Sequence, residues 1–258
     1  MRFASLGSGS EGNALIVEAG GATRPSRLML DCGFGLREIE RRLARHAVEP
    51  DSLDAILVTH EHSDHVGGVY KLAARHGVPV YLSHGTRSAT AGSAPAGVEL
   101  RVVDVHTPFA IGEIEVLPYP VPHDAREPVQ FAFGDGAVRL GVLTDAGRST
   151  THIVRMLSGC DALVLECNHD VDMLRGSDYP PSLKARIAGE FGHLSNAESA
   201  AILASLDRSR LRFLFAAHLS RRNNRPDIAR EALAGVLGCR PDEVGVADQD
   251  DGFAWVTL

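Results

Sequence analysis

Long apolar runs are missing from this sequence of 258 residues: none approaches the roughly 18 consecutive apolar residues that a membrane-spanning helix needs, so no membrane partner is expected. Cysteine is scarce and scattered. Cys32, Cys160, Cys167 and Cys239 form no C-x-x-C pair, and a chain this long buries a sufficient core without disulfides, so free buried thiols are expected. The opening residues, Met1-Arg-Phe-Ala-Ser-Leu-Gly-Ser-Gly-Ser10, lack an apolar stretch followed by a small-residue cleavage site, from which a cytoplasmic location is expected. Net positive charge is absent too. The formal charge of −7 argues against a general nucleic-acid coat while leaving room for a local basic groove. Lysine is nearly absent, with 2 residues against 24 arginines, and seven of those arginines fall between Arg208 and Arg230 against the single acid Asp227. That cluster is either a phosphate-contacting surface or a set of solvated charges in an arginine-rich chain.

What is present is an ordinary globular composition, 44% hydrophobic and 23% charged, with no low-complexity linker to divide it, so one continuous domain over residues 1–258 is expected. Short runs of Val, Ile and Leu alternate with helical patterns. Strands are predicted at 14–18, 28–30, 55–59, 114–117, 131–133, 140–144, 162–166, 211–217 and 253–256, and helices at 36–46, 66–76, 150–157, 183–191, 196–206 and 227–237. The helix from Asn196 opens with the capping box Ser195-Asn-Ala-Glu198. A weak internal echo pairs Leu30-Asp31-Cys32-Gly33 with Thr144-Asp145-Ala146-Gly147, each followed by a strand beginning Asp-Ala, at Asp54 and Asp161, after 23 and 16 residues. Two related halves, each with its own sheet covered by helices, give an α/β four-layer αββα sandwich with a cleft at the strand ends.

The chemistry concentrates where the strand Ala55-Ile-Leu-Val-Thr59 runs into His60-Glu-His-Ser-Asp-His65, which sets three imidazoles and the Asp64 carboxylate within six residues. His60 and His62 are two apart, so an extended backbone projects both rings to one side, where they can bind one ion. Asp64 and His65 fall where the chain turns into a helix, and the reversal lets them face a second ion nearby. Imidazole and carboxylate suit Zn, Mn or Fe, and no neighbouring cysteine closes a structural zinc site. The bland alternative is a solvated histidine-rich loop with Asp64 capping the next helix.

At these residues the sequence resembles the metallo-β-lactamase superfamily, whose H-x-H-x-D-H signature is matched in full. The resemblance implies the rest of a ligand set for two divalent ions: His123 with His60 and His62 on the first, His218 with Asp64 and His65 on the second, and Asp145 as the bridging carboxylate. Glu166 and His193 are similar to the glutamate and histidine that nuclease members such as ribonuclease Z add beside the metals. In such a pair the carboxylate orients the ring, and the imidazolium assists the leaving oxygen of a phosphodiester. Alternatively, Glu166 only ends a strand and His193 only precedes the Ser195 cap.

The resemblance is tightest to the YycJ/WalJ family, through Ser5-Leu-Gly-Ser-Gly-Ser-Glu-Gly-Asn13, Thr59-His-Glu-His-Ser-Asp-His65, Glu166-Cys-Asn-His-Asp170, Tyr179-Pro-Pro-Ser-Leu-Lys-Ala-Arg-Ile187, Gly192-His-Leu-Ser-Asn196 and Ala217-His-Leu-Ser-Arg-Arg-Asn-Asn224. It implies a metal-dependent phosphodiesterase, a 5′-to-3′ DNA exonuclease that uses a hydroxide activated by two metal ions, Mn or Zn. Its partner is DNA, chiefly the ends of the double strand, and no organic cofactor is expected. Asp64, Glu166 and His193 are the catalytic candidates. Ser8, Ser10 and Asn13 in the glycine-rich loop, Lys184, Arg186, Ser195, Arg221, Arg222 and Asn223 are the candidates for substrate contact, with Arg225 beside them. A flexible turn and solvated helix charges are the plain readings of the same residues. Cys167 and Arg222 depart from the family's usual serine and acidic residue. A small-molecule hydrolase acting on a lactone, thioester or cyclic phosphodiester is the alternative function, and a non-catalytic binding module is the other. The role of His169 and the oligomeric state stay open.

Overall fold

Alternation of apolar residues between two faces sets the layers of the computed structural model, which describes residues 1–21 and 24–258. The first sheet contains β1 (Arg2–Gly7), β2 (Ala14–Ala19), β3 (Ser26–Leu30), β4 (Ala55–Leu57), β5 (Val80–Leu82) and β6 (Leu100–Val102). The second contains β7 (Phe109–Ile111), β8 (Ile114–Pro120), β9 (Val129–Gly134), β10 (Arg139–Leu143), β11 (Ala162–Glu166), β12 (Phe213–Ala217) and β13 (Gly245–Val246). Leu15, Val17, Leu28, Leu30, Ala55 and Leu57 point between the sheets, where they meet Val116, Phe131, Phe133, Leu140, Val142 and Val164. Their neighbours Ile16, Met29 and Ile56 point outward onto Ile39 and Leu43 of α1 (Leu36–Arg45) and onto Val69 and Leu72 of a later helix. On the far side, Leu163, Leu165 and Leu214 pack on Ile153, Ile202 and Leu233. Strands with both faces covered read as unbroken apolar runs, as these do. The expected αββα order of layers is therefore present.

The helices fill the outer layers. After α1 come α2 (Ser63–Val66), α3 (Val69–His76), α4 (His84–Ala89), α5 (Thr151–Leu157), α6 (Val171–Gly176), α7 (Pro181–Ile187), α8 (Asn196–Ser205) and α9 (Pro226–Leu237). The capping box of α8 forms as expected, with Glu198 N donating to Ser195 Oγ and Ser195 N to Glu198 Oε2.

The internal echo has a structural counterpart. Asp31 and Asp145 follow β3 and β10, and both take left-handed φ angles, 59° and 53°. Asp54 and Asp161 pin the entries of the next parallel strands in the same way: Asp54 Oδ2 accepts from Arg27 N at 2.8 Å and Asp161 Oδ2 from Arg139 N at 2.9 Å. In each sheet three antiparallel pairings are followed by three parallel ones. One strand departs from the expectation that each half supplies its own sheet. β14 (Phe253–Thr257) crosses back to lie antiparallel to β1 in the first sheet, where Phe253 stacks on Phe215 and edges Phe3.

Other differences have local causes. The helix expected at 66–76 is broken at Gly67-Gly68, where Gly68 N donates to Cys32 O at 2.7 Å instead of to the helix and the chain passes so close to Phe34 O that a Cβ would lie 1.9 Å from it. The helix expected at 183–191 begins earlier, at Pro181, where proline suits the first helical position, and ends at Ile187, where the chain tightens through Gly189 to Gly192. The strands β1, β5, β6, β7 and β13 and the one- to two-turn helices α4 and α6 are too short, or too rich in glycine, serine and charge, to show a period.

Candidate metal centre

The parallel strands deliver the site because their carboxyl ends all point to one rim. From β4 the chain continues extended to His60, which is 1% exposed, and His62 then enters α2 with φ −63° and ψ 147°. The single turn Ser63–Val66 swings Asp64 and His65 to the other side of the same point. His123 enters from the loop after β8 and is fixed by Nδ1 lying 3.0 Å from Gly192 O. Asp145 follows β10 and His218 follows β12, and both are left-handed. Among the described residues four non-glycine residues have positive φ, and three of them, Asp31, Asp145 and His218, meet here. Strain of this kind persists only where the surroundings fix it.

Donor atoms converge in groups of three within 4.8 Å: His60, His62 and His123 form one, Asp64, His65 and His218 another. Asp145 lies between them, Oδ2 3.1 Å from His65 Nε2 and Oδ1 3.9 Å from His123 Nε2 and 3.6 Å from His218 Nδ1. Glu166, fully buried, has Oε1 2.9 Å from His193 Nδ1 and 3.2 Å from His218 Nδ1, and its Oε2 accepts from Ala146 N at 2.9 Å.

These residues fit divalent cations on two observations. His60 Nε2 and His218 Nε2 are buried with no hydrogen-bond partner, a costly arrangement that coordination relieves. The carboxylates also demand positive charge at this place. Burial opposes protonation of His65, yet Asp145 and Asp31 outweigh it and raise its pKa well above the ordinary imidazole range. Burial likewise opposes charge on His218, but Asp145, Asp64 and Glu166 push its pKa up to about 10. His60 and His123 go the other way, held neutral chiefly by burial. Against the cost of burial, His193 holds Glu166 at about 2 and the histidines around Asp145 keep it well below the carboxylate range. A divalent ion in such a set displaces the protons and satisfies the same carboxylates.

Several supporting residues gave no sign of this role in the sequence. Asp31 Oδ2 lies 2.8 Å from His65 Nδ1, and Asp31 in turn receives Thr59 N at 2.8 Å and Thr59 Oγ1 at 2.9 Å. Asn168 Nδ2 donates to His218 O at 3.0 Å. Only the echo between Asp31 and Asp145 pointed that way. His169 is buried and pairs by backbone with Ser195.

A cleft of about 410 Å³ opens beside the donors, lined by His62, Asp64, Asp145, His193 and His218 together with Ser10, Tyr179 and Arg186. Of the substrate-contact candidates, Ser10 and Arg186 therefore line it. The others are directed elsewhere. Ser8 Oγ accepts from His218 N at 2.9 Å, and Asn13 Nδ2 lies 3.1 Å from His65 Nε2 and donates to Asp64 O at 3.3 Å, so both brace the donors. Lys184 turns away to donate to Arg175 O and Ser177 O, Ser195 caps α8, and Asn223 is buried against Ser220. Arg221 pairs with Asp250 at 2.6 Å, Arg222 with Asp178 at 3.5 Å, and Arg225 with Asp227 at 3.0 Å. Nor do the arginines between 208 and 230 form one patch: Arg210 and Arg212 sit by Asp161 at the entry of β12, at the opposite end of that strand from His218.

Comparison with known proteins places this geometry. Residues 26–214 match the model of the beta-lactamase superfamily domain. Exodeoxyribonuclease YycJ of Bacillus anthracis is 35% identical over 252 residues, covering 96% of this chain and 93% of the relative. The chain belongs to the YycJ/WalJ family of the metallo-β-lactamase superfamily. A second member, exodeoxyribonuclease WalJ of Streptococcus pneumoniae, is 32% identical over 95% of the chain and 91% of its own length. Among solved structures, the metallo-β-lactamase fold protein YhfI of Bacillus subtilis superposes with a TM-score of 0.76 at 16% identity over 99% of both chains, which shows the shared fold. This member of the YycJ/WalJ family keeps its histidines and aspartates at the strand ends. Among its described residues no helix is long and apolar enough to cross a membrane.

Proposed function

We propose that the chain is a metal-dependent exonuclease that removes nucleotides from the 5′ ends of double-stranded DNA. The observation that carries the reading is the His193–Glu166 pair, 2.9 Å apart and set beside the donor groups with His193 lining the cleft. The names of the 32–35% identical relatives supply DNA as the substrate and release from ends as the mode.

In this reading His60, His62 and His123 would hold one ion and Asp64, His65 and His218 the other, with Asp145 available to both groups, and Mn and Zn suit these donors. Divalent ions so bound supply Lewis acidity, bringing the pKa of water towards neutrality and offsetting charge on the phosphoryl group. The chain's own residues do the rest. Glu166 Oε1 engages His193 Nδ1, which leaves Nε2 to carry a proton to the departing oxygen. Arg186, held by Asp124 at 2.6 Å, and Ser10 orient the phosphate from the cleft wall.

The test is cleavage of 5′- and 3′-labelled double-stranded DNA by chelator-stripped protein reloaded with Mn or Zn, with Asp64→Asn in parallel. Metal-dependent release from the 5′ end, lost in the variant, is expected. Verified metal loading with no release from either end overturns the reading in favour of a small-molecule hydrolase.

A further inference from the structure

The cleft has two unlike walls. One is the array of imidazoles and carboxylates; the other is formed by Tyr179, Leu183, Arg186 and Ile187, from α7 and the residues leading into it. None of the seven residues of α7 is buried. Leu183 and Ile187, one turn apart on the same face, are half-buried, as is Tyr179, yet none of the three belongs to the apolar clusters that hold the layers together. Core stability therefore does not explain why this segment directs its apolar side chains inward. The Arg222 guanidinium lies 5.7 Å from the centre of the Tyr179 ring and 3.5 Å from Asp178, flanking the ring with charge.

We propose that this wall is a subsite for the base of the terminal nucleotide, with Tyr179 as its stacking surface and Leu183 and Ile187 as the apolar side against which it lies. The proposal rests on the nuclease reading above and names the part of the substrate that the second wall takes. A nucleotide joins a charged phosphate to a flat, apolar-faced ring, and the cleft presents a wall for each, with Arg186 on the same helix as the apolar pair. The cavity of about 410 Å³ is of the size that holds one such group. Tyr179, Leu183 and Ile187 offer faces rather than a fixed pattern of donors and acceptors. The subsite thus distinguishes a base from no base without distinguishing among bases.

The experiment compares metal-loaded protein on duplexes that differ only in whether the terminal nucleotide at the attacked end carries its base or is abasic. The wild type is expected to release the base-bearing nucleotide about tenfold faster or more, as base–aromatic stacking allows. Tyr179→Phe keeps that ratio, and Tyr179→Ala brings it close to one. Ile187→Ser, at a position outside the core, lowers it as well and checks the result against a folding defect at Tyr179. A wild-type ratio near one, or a ratio unchanged in Tyr179→Ala, overturns the subsite while leaving the nuclease reading intact. No metal-dependent release from any end by the wild type removes the nuclease reading and the subsite with it.

Discussion

Asp31 and Asp145 grip opposite edges of one imidazole: Asp31 Oδ2 is 2.8 Å from His65 Nδ1, and Asp145 Oδ2 is 3.1 Å from His65 Nε2. The two aspartates hold corresponding positions in the two halves of the fold, and both are left-handed. A carboxylate behind a ligating histidine fixes its tautomer and raises its basicity. Asp31→Asn is therefore expected to weaken metal binding by about 10- to 100-fold, the usual cost of losing such a partner. Titration against a chromophoric chelator measures it, and an unchanged affinity would show that Asp31 only braces Thr59.

Glu166 serves two histidines, so its loss and that of His193 should differ. His193→Ala is expected to lower the single-turnover rate on DNA by about 10²- to 10⁴-fold, the range for a general acid, with metal content intact. Glu166→Gln should lower metal occupancy as well as rate, because Oε1 also lies 3.2 Å from His218 Nδ1. Metal analysis beside the cleavage assay separates the two. Equal metal content in both variants would mean that Glu166 acts through His193 alone.

Burial pushes the thiols of Cys32 and Cys167 up to about 12 and that of Cys160 up to about 11, from an ordinary 9.0. Native protein should then react with a maleimide at Cys239, the partly exposed thiol, and at all four cysteines only after unfolding. The pH dependence has a definite sign. Folded-state pKa values above the unfolded one leave stability unaffected below about pH 9 and erode it as pH rises from 9 towards 11 to 12. The melting temperature should fall over that interval, and the fall should be shallower in Cys160→Ala. An identical slope in that variant would exclude the thiol as a source.

Gly33 is required by contact rather than by backbone angle. A Cβ there would lie 1.9 Å from Asp64 O and 2.8 Å from Gly12 Cα, both backbone atoms that no side-chain rotation can move. Gly33→Ala is expected to cost about 1–3 kcal/mol or more in stability, as overpacking does, and to displace Asp64. Denaturant unfolding and metal titration test the two effects, and wild-type values in both would disprove the contact.

Local periodicity and spacing made much of the scaffold legible. The alternation of Leu15 and Val17 with Ile16, the capping box at Ser195 and the strand-to-turn run from Ala55 to His65 are each encoded by residues a few positions apart. The paired Leu30-Asp31 and Thr144-Asp145 segments carried the two-half plan. The break at Gly68 and the return of β14 to the first sheet were not readable, since each depends on a distant partner, Phe34 in one case and β1 in the other.

The sequence by itself determined the donor motif His60, His62, Asp64 and His65, because an extended strand end followed by one helical turn fixes where those four side chains point. His123, Asp145, Glu166, His193 and His218 lie on separate segments, and only the pairing of strands in the second sheet brings each within 3.9 Å of another. Tertiary structure also decided which polar residues face the cleft. Lys184 and Arg186 are two residues apart on one short helix, so one reaches the carbonyls of Arg175 and Ser177 while the other meets Asp124 at the cleft. A long flexible side chain takes its direction from what packs beside it, which neighbours in sequence do not specify.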